Sequence, residues 1–302
     1  MSEKIIVVAG GTGNLGGRII KALLEKGAEV RVLVRSTSDE EKINQLKQIG
    51  AKVTLVDMTN QQEIANVCIG ATCVVSALAG LSDVVIDAQK ILLNGAISAG
   101  VPRFIPSDYS LDFTKFKDGE NRNLDLRREF HKYLDATPIS ATSIFNGAFM
   151  DMLTNEIPMI VFKKRLVLYW GNADHKMGFT TLDDTAMYTA NVALDISTPR
   201  YLRIAGDQIS PRGIREVMNK LSGQKYRLLR TGGLGLLSAI IKITKLFSPG
   251  KTDLYPAWQG MQYMRNMMDE RATLDTTDNK RYPDIKWTTV KDLLSNHKIT
   301  GL

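Results

Sequence analysis

Residues 5–17 read Ile5-Ile6-Val7-Val8-Ala9-Gly10-Gly11-Thr12-Gly13-Asn14-Leu15-Gly16-Gly17. The apolar, largely β-branched run has strand character, and a glycine-rich turn follows it directly. From Arg18 to Lys26 the apolar residues Ile19, Ile20, Leu23 and Leu24 recur at helical spacing. Gly27 is placed to end that helix as a C′ glycine, and Val30–Val34 reads as a second strand. A βαβ unit is therefore nearly complete by residue 35. Gly11, Gly13 and Gly16 fit G-x-G-x-x-G, while Gly10, Gly13 and Gly16 fit the looser G-x-x-G-x-x-G. Such a turn presents free backbone N–H groups at a helix N-terminus, where a pyrophosphate can sit. Gly10, Thr12, Gly13, Asn14, Leu15 and Gly16 are the expected contacts.

The end of the second strand selects the nucleotide. An acidic residue there would accept hydrogen bonds from the adenosine ribose and favour NAD(H). This chain has Arg35, followed by Ser36, Thr37 and Ser38, with Lys42 as a second cation. A guanidinium can hold a 2′-phosphate bidentately, and a carboxylate would repel it. NADP(H) is the expected cofactor, with Arg35 and Ser36 as its selectors.

The alternation continues. Strands are expected at 52–57, 73–77, 101–107 and 139–145, with helices at 61–68, 84–99 and 124–134. This rhythm predicts an α/β fold, a doubly wound parallel sheet. Ligands in such sheets bind at the carboxyl ends of the strands. Asp57, Met58, Ser76, Ala77, Ser107 and Asn146 all fall at or after such ends and join the expected cofactor set. After Asn146 the alternation stops. The expected division is a dinucleotide domain over 1–150, with return segments near 179–205, and a smaller α/β substrate lobe over most of 151–302. Within that lobe, 232–247 and 255–268 read as amphipathic helices rich in Met, Trp and Leu. They are expected to cover the nicotinamide end of the cleft.

The chain has 302 residues, of which 44% are hydrophobic and 24% charged, with a net charge of +7. That charge would suit an anionic cofactor. The compact cluster Lys163-Lys164-Arg165 reads as a solvated turn, and no nucleic-acid-binding spacing occurs, so no nucleic-acid partner is expected. Gly232–Ile241, the longest uncharged apolar stretch, is too short to span a bilayer. With no secretory signal either, the expectation is a cytoplasmic monomer or homodimer without a membrane partner. Cys68 and Cys73 read as free buried thiols. His131, His175 and His297 are scattered, and no metal site is expected. Tyr282 and Lys286 formally match Tyr-x-x-x-Lys, but Pro283 between them opposes the helix that pair needs.

Four segments together carry a resemblance. They are Ala9–Gly16, Ala99–Tyr109 (Ala-Gly-Val-Pro-Arg-Phe-Ile-Pro-Ser-Asp-Tyr), Asn146–Met150 and Phe179–Asp184, and Asn279–Thr289 has the same style. Their order and spacing, over nearly the whole chain, resemble the NmrA-like and isoflavone-reductase-like atypical short-chain dehydrogenases. The resemblance implies a Rossmann domain, a small substrate lobe and NADP(H). It also implies a catalytic lysine on the helix before the sixth strand, where this chain has Arg127. An arginine stays protonated and cannot readily act as an acid or base, but it can stabilise an oxyanion or bind substrate. Tyr109 could instead donate a proton, and Ser107 shares its strand-end position. Two functions follow from the resemblance. One is NADPH-dependent reduction of a small, mostly apolar carbonyl, enone or quinone-like compound. The other is a non-catalytic NADP(H) redox sensor acting through protein partners.

Overall fold

The computed structural model describes residues 4–154, 158–250, 252–274 and 277–296. It divides into two compact units. The first comprises 1–109, 126–144 and 182–202, and the second 110–125, 145–181 and 203–302.

In the first unit, β1 (Ile5–Ala9), α1 (Asn14–Glu25), β2 (Glu29–Val34), α2 (Glu40–Gln48), β3 (Lys52–Leu55), α3 (Gln61–Cys68) and β4 (Cys73–Ser76) follow one another. Then come α4 (Gln89–Ser98), β5 (Arg103–Ile105), α5 (Arg122–Leu134, which the unit boundary cuts) and β6 (Ser140–Ala141). The six strands form one parallel sheet in the order β3-β2-β1-β4-β5-β6. This is the expected doubly wound arrangement, with the order reversing at β1. The central strands are buried on both faces, so they are continuous apolar runs instead of alternating ones. One layer of the core gathers Val7, Ile64, Leu92, Leu93, Phe104 and Phe130. Gly27 closes α1 at φ 76° and Gly100 follows α4 at φ 71°, both in the left-handed region that glycine occupies without strain.

Two expected elements differ. The helix over 84–99 opens as a wide π-helical segment, Asp83–Ala88, before α4 begins. Gln89, at the junction, is buried; its amide donates to the Val85 carbonyl at 3.0 Å and accepts from the Ser107 N–H at 2.9 Å. The strand over 139–145 is split. Ser140 and Ala141 pair with β5, whereas β7 (Ser143–Phe145) leaves that sheet. The Ser143 N–H donates to the Arg200 carbonyl at 2.9 Å, so the chain changes partner at Thr142.

The remaining elements are β8 (Ala148–Phe149), β9 (Ile160–Val161), β10 (Leu166–Trp170), β11 (Met177–Thr180), α6 (Leu182–Leu194), β12 (Tyr201–Arg203), β13 (Asp207–Ile209), α7 (Pro211–Ser222), β14 (Arg227–Gly232), α8 (Leu234–Phe247), α9 (Ala257–Met267) and α10 (Val290–Asn296). Helix α6 belongs to the first unit and packs on α1. The second unit is built on two three-stranded sheets, β14-β10-β9 and β13-β11-β8. Thr289 caps α10 reciprocally: its hydroxyl accepts from the Asp292 N–H at 3.1 Å, and its own N–H donates to the Asp292 carboxylate at 3.0 Å. Tyr282 follows a short 3₁₀ turn, and 282–286 are not helical.

The positive charge is unevenly divided. The first unit has 15 Lys and Arg against 16 Asp and Glu, and the second has 24 against 16. The excess therefore does not sit on the unit with the dinucleotide turn, contrary to the simplest reading of the +7 charge.

Cys68 and Cys73 are free and fully buried. Burial pushes both thiols up to about 12. Neither should react with Ellman's reagent at pH 8 while the chain is folded, and two thiols should appear on denaturation. Rapid native labelling of either would contradict their burial.

Candidate cofactor site

The glycine turn is shaped by contacts that exclude side chains. Gly10 has φ 84°, and a Cβ there would lie 2.5 Å from the Ala77 carbonyl oxygen. At Gly16 a Cβ would meet the Gly10 carbonyl oxygen at 2.2 Å. These two glycines let the turn close on the end of β4 and on the first turn of α1. Gly13 differs: its φ is −79°, and the only atom near a Cβ is the Gly10 oxygen at 3.2 Å. Gly13 is the N-cap of α1, and no side chain caps the helix. The N–H groups of Asn14, Leu15 and Gly16 thus precede the first helical acceptor, with the positive end of the helix dipole behind them. Gly13 and Asn14 are exposed, and Thr12 and Leu15 half-buried. An uncapped helix start behind a side-chain-free turn fits a pyrophosphate.

Arg35 and Ser36 lie exposed just past β2. The Arg35 guanidinium makes no ion pair or hydrogen bond with any described residue. Arg31, on the same strand, is fully engaged: it donates to Glu29 at 2.9 Å and to the Val67 and Ile69 carbonyls at 2.9 and 2.7 Å. A free cation at this strand end is suited to a phosphate.

Asp57 accepts from the Thr59 N–H and hydroxyl at 2.8 and 2.7 Å, and these bonds hold its carboxyl below the ordinary range. Met58 packs on the apolar core. At the end of β4, Ser76 is fully buried with a hydroxyl that bonds no described residue, and the Ala77 N–H donates to the Ala9 carbonyl at 2.8 Å.

Past β5, Ser107 is tied at every polar atom. Its N–H donates to Gln89, its hydroxyl donates to the Leu78 carbonyl at 2.7 Å, and its carbonyl accepts from Arg127 Nε at 3.1 Å. The Tyr109 hydroxyl is buried, and burial pushes its pKa well above the ordinary tyrosine value. Arg127 is half-buried on α5. Asn146 lies in the second unit, fully buried. Its N–H donates to the Ser110 carbonyl at 3.1 Å, and its carbonyl accepts from the Thr180 hydroxyl at 2.7 Å.

Between Ser107 and Tyr109, the fully buried Asp108 accepts from His131 Nε2 at 2.7 Å. Arg200 donates to His131 Nδ1 at 2.8 Å, to Asp135 at 2.8 Å and to the Ser143 hydroxyl at 2.7 Å. Because a guanidinium only donates, Nδ1 carries the lone pair and Nε2 the proton. The imidazole ring also stacks on Tyr201, at 6.4 Å between centroids and 8° between planes. Burial alone would raise the Asp108 pKa, but His131, Ser143 and Arg127 together hold it below the usual carboxylate range. Sequence reading left His131 as a scattered histidine, because neither partner is near it in the chain. His175 Nε2 donates to the Met267 carbonyl at 3.0 Å, and His297 lies outside the described residues.

The NmrA-like family model matches residues 2–293. Pinoresinol reductase 2 of Arabidopsis thaliana is 26% identical, over 96% of this chain and 95% of its own length. A solved structure described as AtPrR2 with NADP+ and (+)pinoresinol superposes with a TM-score of 0.84 at 24% identity, covering 98% of this chain and 99% of that one. An isoflavone reductase crystal structure superposes with a TM-score of 0.80 at 17% identity, covering 98% and 99%.

Proposed function

We propose, for a chain that belongs to the NmrA-like family, NADPH-dependent reduction of a small, largely apolar carbonyl, enone or quinone-like compound. One observation carries the reading: an uncapped helix start behind the glycine turn, in the same unit as an unpaired arginine at the end of β2. The relatives' names, a pinoresinol reductase and a structure with NADP+, support it. The N–H groups of Asn14, Leu15 and Gly16 hold the pyrophosphate, with Gly10, Thr12 and Gly13 forming the turn around it. Arg35 and Ser36 hold the 2′-phosphate. Asp57, Met58, Ser76 and Ala77 border the cofactor at the strand ends, with Asn146 toward the nicotinamide. Bound NADPH supplies the hydride. Arg127 offers a fixed positive charge to the developing oxyanion, and Ser107 fixes the height of Arg127 through its carbonyl. The second unit, with 232–268 foremost, recognises the substrate.

Arg35→Asp tests the cofactor assignment by calorimetry. A charge-assisted contact contributes about 1.5–3 kcal/mol, so NADPH affinity should fall ten- to a hundredfold, with NADH affinity unchanged or improved. Equal wild-type affinity for NADPH and NADH would overturn the assignment. Turnover is tested by following NADPH oxidation over a panel of quinones, enones and aromatic carbonyls. Arg127→Ala should keep NADPH affinity and lower turnover by about a hundredfold, the scale of losing one oxyanion contact. A wild-type chain that binds NADPH, turns over none of the panel and changes conformation between NADPH and NADP+ would be a redox sensor instead.

A further inference from the structure

Helix α8 has two apolar faces. One, at Leu237 and Ile241, is buried against Trp258 with Trp170, Met261 and Met264 packed around it. On the other, Leu236, Ile243 and Phe247 recur at i, i+7 and i+11, one stripe along the helix. They are 54, 58 and 81% exposed, and Leu246 beside them is 76% exposed. Lys242 is exposed beside the stripe, whereas Lys245 lies on the opposite side of the helix with its ammonium over the Trp258 ring, 4.9 Å from the centroid. The charge around it is of one sign. From residue 217 to 252 the sequence has seven Lys and Arg and no Asp or Glu. On β14, which leads into α8, Leu229 is 46% exposed between the exposed Arg227 and Arg230. The chain's whole positive excess lies in this second unit.

An apolar stripe beside an exposed lysine, in a basic stretch without acidic residues, fits one kind of surface, a bilayer with anionic headgroups. We propose that α8 lies in the interface of anionic membranes, with Ile243, Leu246 and Phe247 among the acyl chains and Lys242 at the phosphates. No helix of the described residues is long and apolar enough to cross a membrane. The sequence expectation of no membrane partner rested on that length. A helix lying in the interface needs none of it. A second copy of this chain fits less well, because two such faces would bring lysines against lysines.

The test is co-sedimentation of the full chain with vesicles of phosphatidylcholine alone or mixed with phosphatidylglycerol, at low and high salt. The wild type should bind the anionic vesicles, release at high salt and ignore the neutral ones. Lys242→Gln should weaken binding about fivefold, the effect of about 1 kcal/mol per cation near an anionic surface. The pair Ile243→Ser and Phe247→Ser should weaken it about tenfold or more. Circular dichroism and the melting temperature of each variant report folding, and Lys242→Gln changes only an exposed side chain. No binding to anionic vesicles at low salt would overturn the proposal, as would equal binding to neutral ones. So would a wild-type dimer by light scattering that the serine pair makes monomeric, since a second copy would then cover the stripe.

Discussion

Replacing His131 with leucine lowers the unfolding free energy by about 3–5 kcal/mol at neutral pH, the cost of leaving a buried charge without its partner. Asp108 is fully buried, and its bond from His131 is 2.7 Å long. Leucine keeps the volume and removes the donor. The pH dependence has a definite sign. The native Asp108 pKa lies below its unfolded value, so the carboxylate contributes stability above the unfolded pKa. That contribution is lost as pH falls through the native value. In the leucine variant burial dominates, and the carboxyl takes up a proton more readily. The deficit relative to wild type is therefore largest near neutrality and narrows below about pH 4, the unfolded aspartate range. Urea denaturation across that range measures it. A loss below about 1 kcal/mol at pH 7 would mean that water reaches Asp108, as at an exposed ion pair.

Gly13→Val abolishes NADPH binding and leaves the fold intact. The Gly13 backbone, at φ −79° and ψ 164°, is open to any residue, and a Cβ meets only the Gly10 oxygen at 3.2 Å. The branched side chain instead occupies the space in front of the α1 N–H groups. Wild type at a hundredfold excess of NADPH over Kd should gain about 2.7 kcal/mol, seen as a thermal shift, and the variant should gain none. A full shift in the variant would refute the assignment of the turn. Gly10→Ala and Gly16→Ala are unsuitable comparisons, because their side chains would strike backbone at 2.5 and 2.2 Å.

The parts of the fold legible in the sequence are those whose signal is local. The helix expected over 61–68 is α3, Gln61–Cys68, residue for residue. Asn60 caps it and an apolar stripe runs along it. Helix α2 went unread because it buries only Ile43 and Leu46 among nine mostly polar residues. The break at Thr142 was illegible for a different reason. Residues 139–145 suit a strand throughout, and only the distant Arg200 carbonyl decides where one sheet ends. The site divides the same way. The glycine turn and Arg35 announce themselves by position along a βαβ unit. Asp108 and His131 are 23 residues apart, and His131 and Arg200 are 69 apart. No spacing rule joins them, so only the folded chain does.

The two compact units are each assembled from three separate stretches, and the backbone passes between them five times. No single cut yields either one as a continuous polypeptide. A new specificity in the second unit therefore cannot arrive by fusing a foreign segment at one joint. It has to accumulate by substitutions within a shared chain, or be grafted through five junctions at once. The same interlacing limits what proteolysis can do: one nick releases neither unit, because its remaining stretches still tether it to the other.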